Sequence, residues 1–299
     1  MDITYFHSKS KPMSNLTPRE LLTGDVRLAS LPEVFTRVNN LIDDPKSSAA
    51  DIGHLISEDP SLTIRLLKIV NSAFYGFPSK IDTVSRAITI VGTSELRDLI
   101  LATSVIKVFN SIPEDLLNMN DFWKHSVACA LIAHILASKR HDEDLEPLFV
   151  SGLLHDVGKL VIYMRIPELG RETLARKKFN HVDLCTAERD VLGFDHAELG
   201  GELASLWKLP DLLQQTLRFH HSPQKAESHQ AEVAIINLAD QIAKVVALGK
   251  GGVINGEMPK DEALWAATGL SSNVLESTLQ EAELQFEETI KLILYDNAA

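Results

Sequence analysis

Apolar residues along this chain recur mostly at three- and four-residue intervals, and almost no segment alternates as a half-buried strand would. The pattern predicts an all-α fold. Two helix starts are marked by their capping residues, Thr17-Pro18-Arg19-Glu20 and Asp59-Pro60, because each places a proline directly after a side-chain cap. After the second start, the predicted helix ends at the breakers Asn71-Ser72 and Gly76-Phe77-Pro78. We predict further helices over residues 32–43, 49–57, 83–91, 93–109, 121–140 and 146–161.

Pro113 and the polar residues 118–121 separate two helical blocks. We therefore divide the chain into an N-terminal tail, an N-terminal helical subdomain, a second helical subdomain that carries the candidate chemistry, and a C-terminal helical extension. Their predicted bounds are 1–19, 20–112, 113–250 and 251–299. The glycine-rich residues 249–252 are predicted to form a loop that closes the preceding helix, since they lack the order of a phosphate-binding loop.

The last predicted helix, residues 271–295, has an imperfect apolar stripe with acidic residues between its members. The stripe consists of Val274, Leu275, Leu279, Leu284, Phe286, Ile290 and Leu294. We expect this helix to pack on its own domain, with a homodimer contact as the alternative.

Composition narrows the class of protein. The 299 residues are 45% hydrophobic and 23% charged, which is typical of a soluble globular chain, and the net charge of −12 argues against non-specific binding to nucleic acid or anionic lipid. The basic residues 176–178 are interpreted as a solvated helix face. The two cysteines, Cys129 and Cys185, are predicted to be reduced, buried thiols of a cytoplasmic protein. The N-terminus lacks the apolar core of a signal peptide, and no apolar run has the length of a membrane span, so we expect neither a membrane nor a nucleic acid partner.

Seven side chains that suit a metal site occur in predicted helices or at helix ends, a scaffold that can direct several ligands to one point. They are His125, His155, Asp156, His196, His220, His221 and Asp240. The His155-Asp156 pair interrupts an otherwise apolar run, and a buried, ionised aspartate requires a metal, another cation or a hydrogen-bond network. Asp121 would share a helix face with His125. Imidazole and carboxylate ligands suit iron, manganese, zinc or cobalt, and a shared aspartate can bridge two ions.

Each of these residues also has a simpler interpretation. A lone histidine is more often a surface or hydrogen-bonded core residue, and Asp240 alone could anchor a helix contact. The whole set could persist as a polar core network that holds no ion. Lys159 could merely neutralise Asp156, and Asp121 could merely cap its helix. The remaining histidines are interpreted as structural or surface residues: His7, His54, His134, His141, His181 and His229.

The order of these ligands resembles the HD superfamily of metal-dependent phosphohydrolases, whose pattern is H…HD…D. The resemblance implies that His125 is the first ligand, His155 and Asp156 the doublet with Asp156 bridging, and Asp240 the last. His196, His220 and His221 match the added histidines of the HD-GYP branch, which holds two or three metals and hydrolyses cyclic dinucleotides. Lys159 matches a lysine that contacts phosphate in that branch, so Lys159 and Asp156 are the implied catalytic residues.

One departure from that branch is clear. His220-His221 is followed by Ser222-Pro223-Gln224-Lys225, without the glutamate and the Gly-Tyr-Pro loop, so cyclic-di-GMP phosphodiesterase activity is not expected. The cofactors that the resemblance implies are divalent ions, about two per chain, of iron, manganese or zinc.

The N-terminal block resembles the HDOD domain, the HD-related output domain of bacterial signalling proteins. The resemblance covers about residues 20 to 220 and depends on Leu31-Pro32-Glu33, on residues 57–62 and 65–67, on residues 71–75, and on Ala87-Ile88 with Leu96. Many members of that family have lost the metal ligands, whereas this chain keeps them. The residues before 20 are too few for a receiver domain, so we expect the input to come from a separate partner or from the domain itself.

Two hypotheses follow. In the first, the chain is a regulatory output module whose metal cluster is structural or senses a signal and passes a change to a signalling protein partner. In the second, it is a phosphohydrolase that acts on a phosphate-containing small molecule, in which metal-activated water attacks phosphorus and Lys159 stabilises the developing charge. The missing Gly-Tyr-Pro segment favours the first hypothesis, and the retained ligands support the second.

Overall fold

The computed structural model describes residues 16–23, 31, 33–72, 75, 77, 79–109, 112–142, 145–250 and 252–295. These residues are mostly helical, as the hydrophobic pattern predicted. The α-helices are α1 Pro18–Thr23, α2 Glu33–Asp43, α3 Ala49–Ser57, α4 Pro60–Val70, α5 Val84–Val91, α6 Thr93–Val108, α7 Met119–Arg140, α8 Glu146–Leu154, α9 Val157–Arg165, α10 Pro167–Asn180, α11 Leu184–Leu192, α12 His196–Leu206, α13 Asp211–Phe219, α14 Gln230–Val245, α15 Glu262–Ala267 and α16 Leu275–Ile290. Short 3₁₀ turns at Pro223–Lys225 and Ser272–Val274 and a π-helical turn at Lys291–Tyr295 complete them.

Both helix starts predicted from capping residues are present. At α1, the backbone N–H of Thr17 donates to the carboxylate of Glu20 at 2.8 Å and the N–H of Glu20 donates to the Thr17 hydroxyl at 3.3 Å, which is a capping box. At α4, the Asp59 carboxylate accepts from the N–H groups of Ser61 and Leu62. Of the predicted breakers of α4, Asn71 and Ser72 directly follow the helix, and positions 76 and 78 lie outside the described residues.

Helix α7 is the central helix of the fold. It is buried on nearly every side from Phe122 to Ala137, and it packs against α8, α14 and α16. Its contact with α8 is close because a Cβ on Gly152 would lie 2.7 Å from the Cα of Ala130, nearer than real Cβ contacts come. Small residues at this crossing therefore bring together the helices that begin the candidate site.

The prediction of one continuous helix over 146–161 is wrong. The chain breaks at His155-Asp156, where Asp156 has φ −95° and ψ 6°, and the helices α8 and α9 leave this joint separately. The close approach of α9 to the start of α12 explains the new direction, since a Cβ on Gly158 would lie only 1.9 Å from the carbonyl oxygen of His196. The break places the His-Asp pair at a buried helix junction.

Residues Glu146–Arg165 are long and apolar enough to cross a membrane by length and composition alone, but 83% of that window is buried inside the protein. The segment is not an uninterrupted apolar run, because His155, Asp156 and Lys159 lie within it. Packing of α8 and α9 in the core accounts for the apolar residues of this segment.

The glycine-rich loop lies within a small β-hairpin. Strands β1 (Val246–Ala247) and β2 (Val253–Ile254) pair antiparallel, so the described residues also contain a minor strand pair that the periodicity did not predict. Gly249 has φ +75°, which favours glycine, and its N–H donates to the carboxylate of Glu283 in α16 at 2.9 Å.

Helix α16 packs on α7 of the same chain, as expected for the last predicted helix. Phe286 and Ile290 are buried, whereas Leu284, a member of the predicted stripe, is 84% exposed. The dimer contact stays a prediction, as does the division of the chain into subdomains. Residues 1–15, most of the predicted tail, lie outside the described residues.

Candidate metal centre

The seven histidine and aspartate residues singled out in the sequence meet at one buried place. Helix α7 supplies one of them, the joint of α8 and α9 supplies two, α12 begins with another, two follow the end of α13, and α14 supplies the last. In this order they are His125, His155, Asp156, His196, His220, His221 and Asp240. The geometry divides them into two groups of ligand atoms that lie within 4.8 Å of one another.

The first group consists of His125, His155 and Asp240. Oδ1 of Asp240 lies 3.1 Å from Nε2 of His125 and 3.5 Å from Nε2 of His155. His155 and Asp240 are buried, and the His125 side chain is 21% exposed. These three side chains can direct two imidazole nitrogens and one carboxylate oxygen at one ion.

The second group consists of Asp156, His196, His220 and His221. Oδ1 of Asp156 lies 3.2 Å from Nε2 of His196 and 3.7 Å from Nε2 of His220. The Nε2 atoms of His196 and His221 are 3.0 Å apart. Two imidazole nitrogens this close to a carboxylate oxygen are the arrangement that a shared cation would stabilise.

Asp156 lies between the two groups. Its Oδ1 faces the second group, and its Oδ2 lies 3.4 Å from Nε2 of His155 and 4.0 Å from Nε2 of His125 in the first group. This is the position that a bridging carboxylate would occupy, as the resemblance implied for this residue.

Three ligand atoms of the centre are buried without a hydrogen-bond partner. They are Nε2 of His155, Oδ1 of Asp156 and Nε2 of His220. Buried polar atoms are almost always paired, and an unpaired one costs about 1–3 kcal/mol. Because these three atoms point into the centre, the residues fit a bound divalent cation of the kind that nitrogen and oxygen ligands favour.

Contacts behind the histidines fix the orientation of their rings. Nδ1 of His155 lies 2.8 Å from the carbonyl oxygen of Gly152, and Nδ1 of His220 lies 2.9 Å from that of Leu217. A carbonyl can only accept, so each Nδ1 donates its hydrogen, and each Nε2 is the ring atom that would offer a lone pair to an ion. Such outer contacts set the tautomer and the basicity of metal-binding histidines.

Glu188 fixes the orientation of the His196 ring in the same way, although it was not among the residues predicted from the sequence. Its Oε2 lies 2.6 Å from Nδ1 of His196 and accepts the backbone N–H of the same residue at 2.9 Å. The side chain is fully buried. A signal was present, because Glu188 lies on the helical face of Cys185 and Leu192, both of which are buried.

Lys244 is a second residue that the sequence analysis missed. Its ammonium lies 2.5 Å from Oδ2 of Asp240, four residues earlier on α14, as Lys159 lies 2.5 Å from Oδ2 of Asp156. The spacing of Asp240 and Lys244 was the available signal. Each buried aspartate therefore has one lysine partner that reaches toward solvent.

The charges of the centre balance one another. Burial alone would raise the pKa of Asp156, but His155 and Lys159 outweigh it and hold that pKa well below its usual value. Burial likewise opposes the lowered pKa of Asp240, where the hydrogen bond from His125 and the ammonium of Lys244 prevail. Both aspartates are therefore ionised at neutral pH, which is the form that binds cations.

Two of the three imidazoles in the second group are neutral, whereas the charge of Glu188 outweighs burial and raises the pKa of His196. Burial lowers the pKa of His220 to about 4 and also lowers that of His221. Both rings are uncharged at neutral pH, and a neutral imidazole is the form that coordinates a metal.

An open pocket of about 580 Å³ leads to the second group. His196 and His221 form part of its wall, and four cationic side chains also line it: Lys159, Lys177, Arg189 and Lys244. Arg189 is paired with Asp195. Lys177 belongs to the basic run that we interpreted as a solvated helix face, and it is exposed at the pocket.

Other sequence-based interpretations have clear outcomes. Asp121 is exposed and outside both groups, although it lines a separate pocket with His125. Cys129 and Cys185 are free and buried, as predicted.

Of the remaining histidines, His7 lies outside the described residues, and the side chain of His54 is 85% exposed. Three others have left-handed backbone conformations at helix ends, His141, His181 and His229.

Comparison with solved structures supports the fold. A structure of an HDOD domain protein of unknown function from Geobacter sulfurreducens is similar, with a TM-score of 0.70 and 24% identity, over 93% of this chain and 97% of that one. A candidate phosphohydrolase from Shewanella amazonensis SB2B gives a TM-score of 0.70 and 24% identity over 90% of this chain and 99% of its own. A candidate signal transduction protein from Marinobacter aquaeolei VT8 has a TM-score of 0.66 and 20% identity, over 88% of this chain and 58% of that one.

Comparison of sequences also finds relatives of this chain. An uncharacterized protein of Treponema pallidum (strain Nichols) is 27% identical over 269 residues, which are 87% of this chain and 50% of that protein. The chain therefore spans about half the length of this relative. The model of the HDOD domain family matches residues 28–223, more than half of the chain. This match shows that the chain belongs to the HDOD domain family.

Proposed function

We propose that this chain is a signal-transduction output module of the HDOD family whose centre binds two divalent metal ions. The observation that carries the proposal is the pair of ligand groups on either side of Asp156, in which Nε2 of His155, Oδ1 of Asp156 and Nε2 of His220 are buried without hydrogen-bond partners. A vestigial polar network would be expected to satisfy these atoms internally.

The ligand chemistry favours iron, manganese or zinc, because all seven proposed ligands are imidazoles or carboxylates. Asp156 would contribute one oxygen to each ion, and Glu188 and the carbonyl oxygens of Gly152 and Leu217 would keep the histidine rings in place. When bound, the ions would supply positive charge and Lewis-acid polarisation at the open pocket.

The two lysines extend the proposal to a ligand. Lys159 contacts Oδ2 of Asp156, which an ion would take, Lys244 contacts Oδ2 of Asp240, the second oxygen of a proposed ligand, and both lysines line the pocket. Ion binding would weaken those contacts and make the ammonium groups available to an anion. A phosphate-containing small molecule is therefore the signal or substrate that we propose for this site.

Metal content tests the proposal. Protein purified without chelator or a metal-affinity step should contain about two ions per chain by elemental analysis, and Asp156→Ala, which removes an oxygen ligand from both ions, should lose them. His54→Ala, which changes an exposed histidine outside the centre, is the matched control and should keep the ions. Wild-type protein that holds no ion and resists loading with iron, manganese or zinc would contradict the proposal.

A second candidate function is phosphohydrolysis, and the cationic pocket favours it. Asp156 would hold both ions, Lys159 would stabilise charge on the equatorial oxygens of phosphorus, and the pocket would admit a phosphate ester. The test is turnover of a generic phosphodiester and phosphomonoester by protein loaded with each metal. Turnover that disappears in Asp156→Ala would make the chain an enzyme, whereas a fully loaded but inactive protein would exclude hydrolysis of these esters.

The proposal also includes a partner protein and a location in the cell. An output module requires a protein to receive its signal, so we propose a signalling protein partner and a cytoplasmic location. Affinity capture with wild type and with Asp156→Ala as paired baits tests the link between metal and partner. A partner that binds only the metal-loaded form would support it, and equal capture by both baits would contradict it.

A further inference from the structure

A third group of candidate ligands adjoins the centre on the side away from Asp156. Cys185 Sγ, a carboxylate oxygen of Glu188 and a ring nitrogen of His196 all lie within 4.8 Å of one another, and all three residues are buried. Cys185 and Glu188 lie three residues apart on α11, so both side chains face the same direction. His196 joins them from the first position of α12.

Only one of the two carboxylate oxygens of Glu188 is used to orient His196. Its Oε2 already accepts both the backbone N–H and Nδ1 of His196, at 2.9 and 2.6 Å. Its Oε1 is buried with no hydrogen-bond partner. A fully buried carboxylate with one oxygen unpaired is costly, and a cation would remove that cost.

The cationic pocket provides an entry path. Cys185 lines that pocket beside Thr186 and Arg189, although only 8% of the residue is exposed. An ion held at Cys185 would therefore have one side open to the pocket. Three protein ligands with one open position is the arrangement of zinc sites that bind an exchangeable ligand.

We propose that Cys185, Glu188 and His196 form a third cation site, selective for a thiophilic divalent ion such as zinc or cobalt. The thiolate of Cys185 distinguishes this site from the proposed binuclear centre, whose ligands are imidazoles and carboxylates. Because it shares His196, the third site depends partly on the proposed metal function. Its ion would face the same pocket and add positive charge for an anionic ligand.

Binding at this site releases two protons. The Cys185 thiol loses its proton to become a thiolate, and the Nδ1 proton that His196 donates to Glu188 Oε2 also leaves, so that His196, whose Nε2 belongs to the centre, would bridge two ions as an imidazolate. Burial raises the pKa of the free thiol, so Cys185 stays protonated until the ion arrives. The His196 to Glu188 contact must open to admit the ion.

Cobalt(II) loading of the full chain tests the site, because a thiolate ligand gives a charge-transfer band in the near ultraviolet that imidazole and carboxylate ligands lack. Wild type should show this band and bind about three ions. Cys185→Ala should lose the band and one ion. Cys129→Ala, which removes the other cysteine of the chain, is the matched control and should keep both.

The outcomes separate this site from the binuclear centre. About two ions without a thiolate band in wild type would overturn the third site and leave the centre intact. A band that disappears in Cys129→Ala but not in Cys185→Ala would also overturn it. No bound cobalt at all would overturn both proposals. A band that depends on Cys185, with the other ions missing, would support the third site and contradict the centre.

Discussion

At the scale of single residues, Asp156 lies between the two ligand groups. Its two carboxylate oxygens face different ligand groups, while His125 belongs to one group only. The two residues should therefore differ in what their loss removes.

We expect Asp156→Ala to abolish binding of both ions, because each ion loses an oxygen ligand. His125→Ala should retain about one ion, held by the group of His196, His220 and His221. Elemental analysis of both variants measures this. Equal loss in the two variants would contradict a bridging role for Asp156.

His134 makes the free energy of unfolding depend on pH. It lies on α7 beside Phe149, with ring centroids 6.4 Å apart, and burial lowers its pKa to about 4. The unfolded chain, with a histidine pKa of about 6.5, takes up this proton first. The free energy of unfolding therefore decreases as pH falls below 6.5, by about 1.3 kcal/mol between pH 7.5 and 5.5 from this residue alone.

Urea unfolding of chelator-treated protein at these two pH values measures the effect. His134→Leu should lose less stability than wild type on acidification, by about 1 kcal/mol. His54→Leu, at an exposed position, is the control and should follow wild type. An unchanged pH response in His134→Leu would show that this histidine is protonated in the folded protein.

The sequence predicted the membership of the centre better than its surroundings. The seven histidine and aspartate residues were recognisable because their types are unusual within apolar helical segments. Glu188 and Lys244 were missed because a glutamate or lysine on a helix is ordinarily a surface residue, and only tertiary packing shows that they contact His196 and Asp240.

At the scale of elements, the junction between α8, α9 and α12 determines the geometry of the centre. The periodicity over 146–161 continued through His155-Asp156, so the sequence predicted one helix where the structure has two. Periodicity shows only which side chains are apolar. Because α8 and α9 are both buried, the apolar pattern does not change at the point where the chain changes direction between them.

Gly158 should be essential to this junction. A Cβ added there would lie 1.9 Å from the carbonyl oxygen of His196, so Gly158→Ala must push α9 away from α12 and separate Asp156 from His196. We expect a loss of about 1–3 kcal/mol in the free energy of unfolding and at least about tenfold weaker metal binding.

Gly200→Ala provides the matched control, because its Cβ would meet no atom closer than 3.7 Å at the same interface. It should be neutral or stabilising by up to about 1 kcal/mol, since alanine is the better helix former. Urea unfolding and metal titration of both variants measure these effects. Equal behaviour of the two variants would contradict the account of the junction.

At the scale of the whole molecule, the centre links distant parts of the chain. Its ligands come from α7, the α8 to α9 joint, α12, the end of α13, and α14, so the two ions together would join five places between His125 and Asp240. The fold class could be predicted from periodicity because local helix patterns suffice for it. The small β-hairpin could not, since strands of two residues are too short to show alternation.

Metal should therefore stabilise the entire fold. At a free ion concentration about 100 times the dissociation constant, binding adds about 2.7 kcal/mol per site to the free energy of unfolding. We expect thermal unfolding of wild type to shift to lower temperature with a chelator and to recover on reloading. Asp156→Ala should unfold at the same temperature with and without metal, and a chelator effect as large as that of wild type in this variant would place the stabilising ion elsewhere.

The most direct test of the binuclear centre is a crystal structure of manganese-loaded protein with anomalous difference maps. The account predicts two peaks that flank Asp156, one among His125, His155 and Asp240 and the other among His196, His220 and His221. Maps with no peak beside Asp156, from crystals grown with excess manganese, would contradict it.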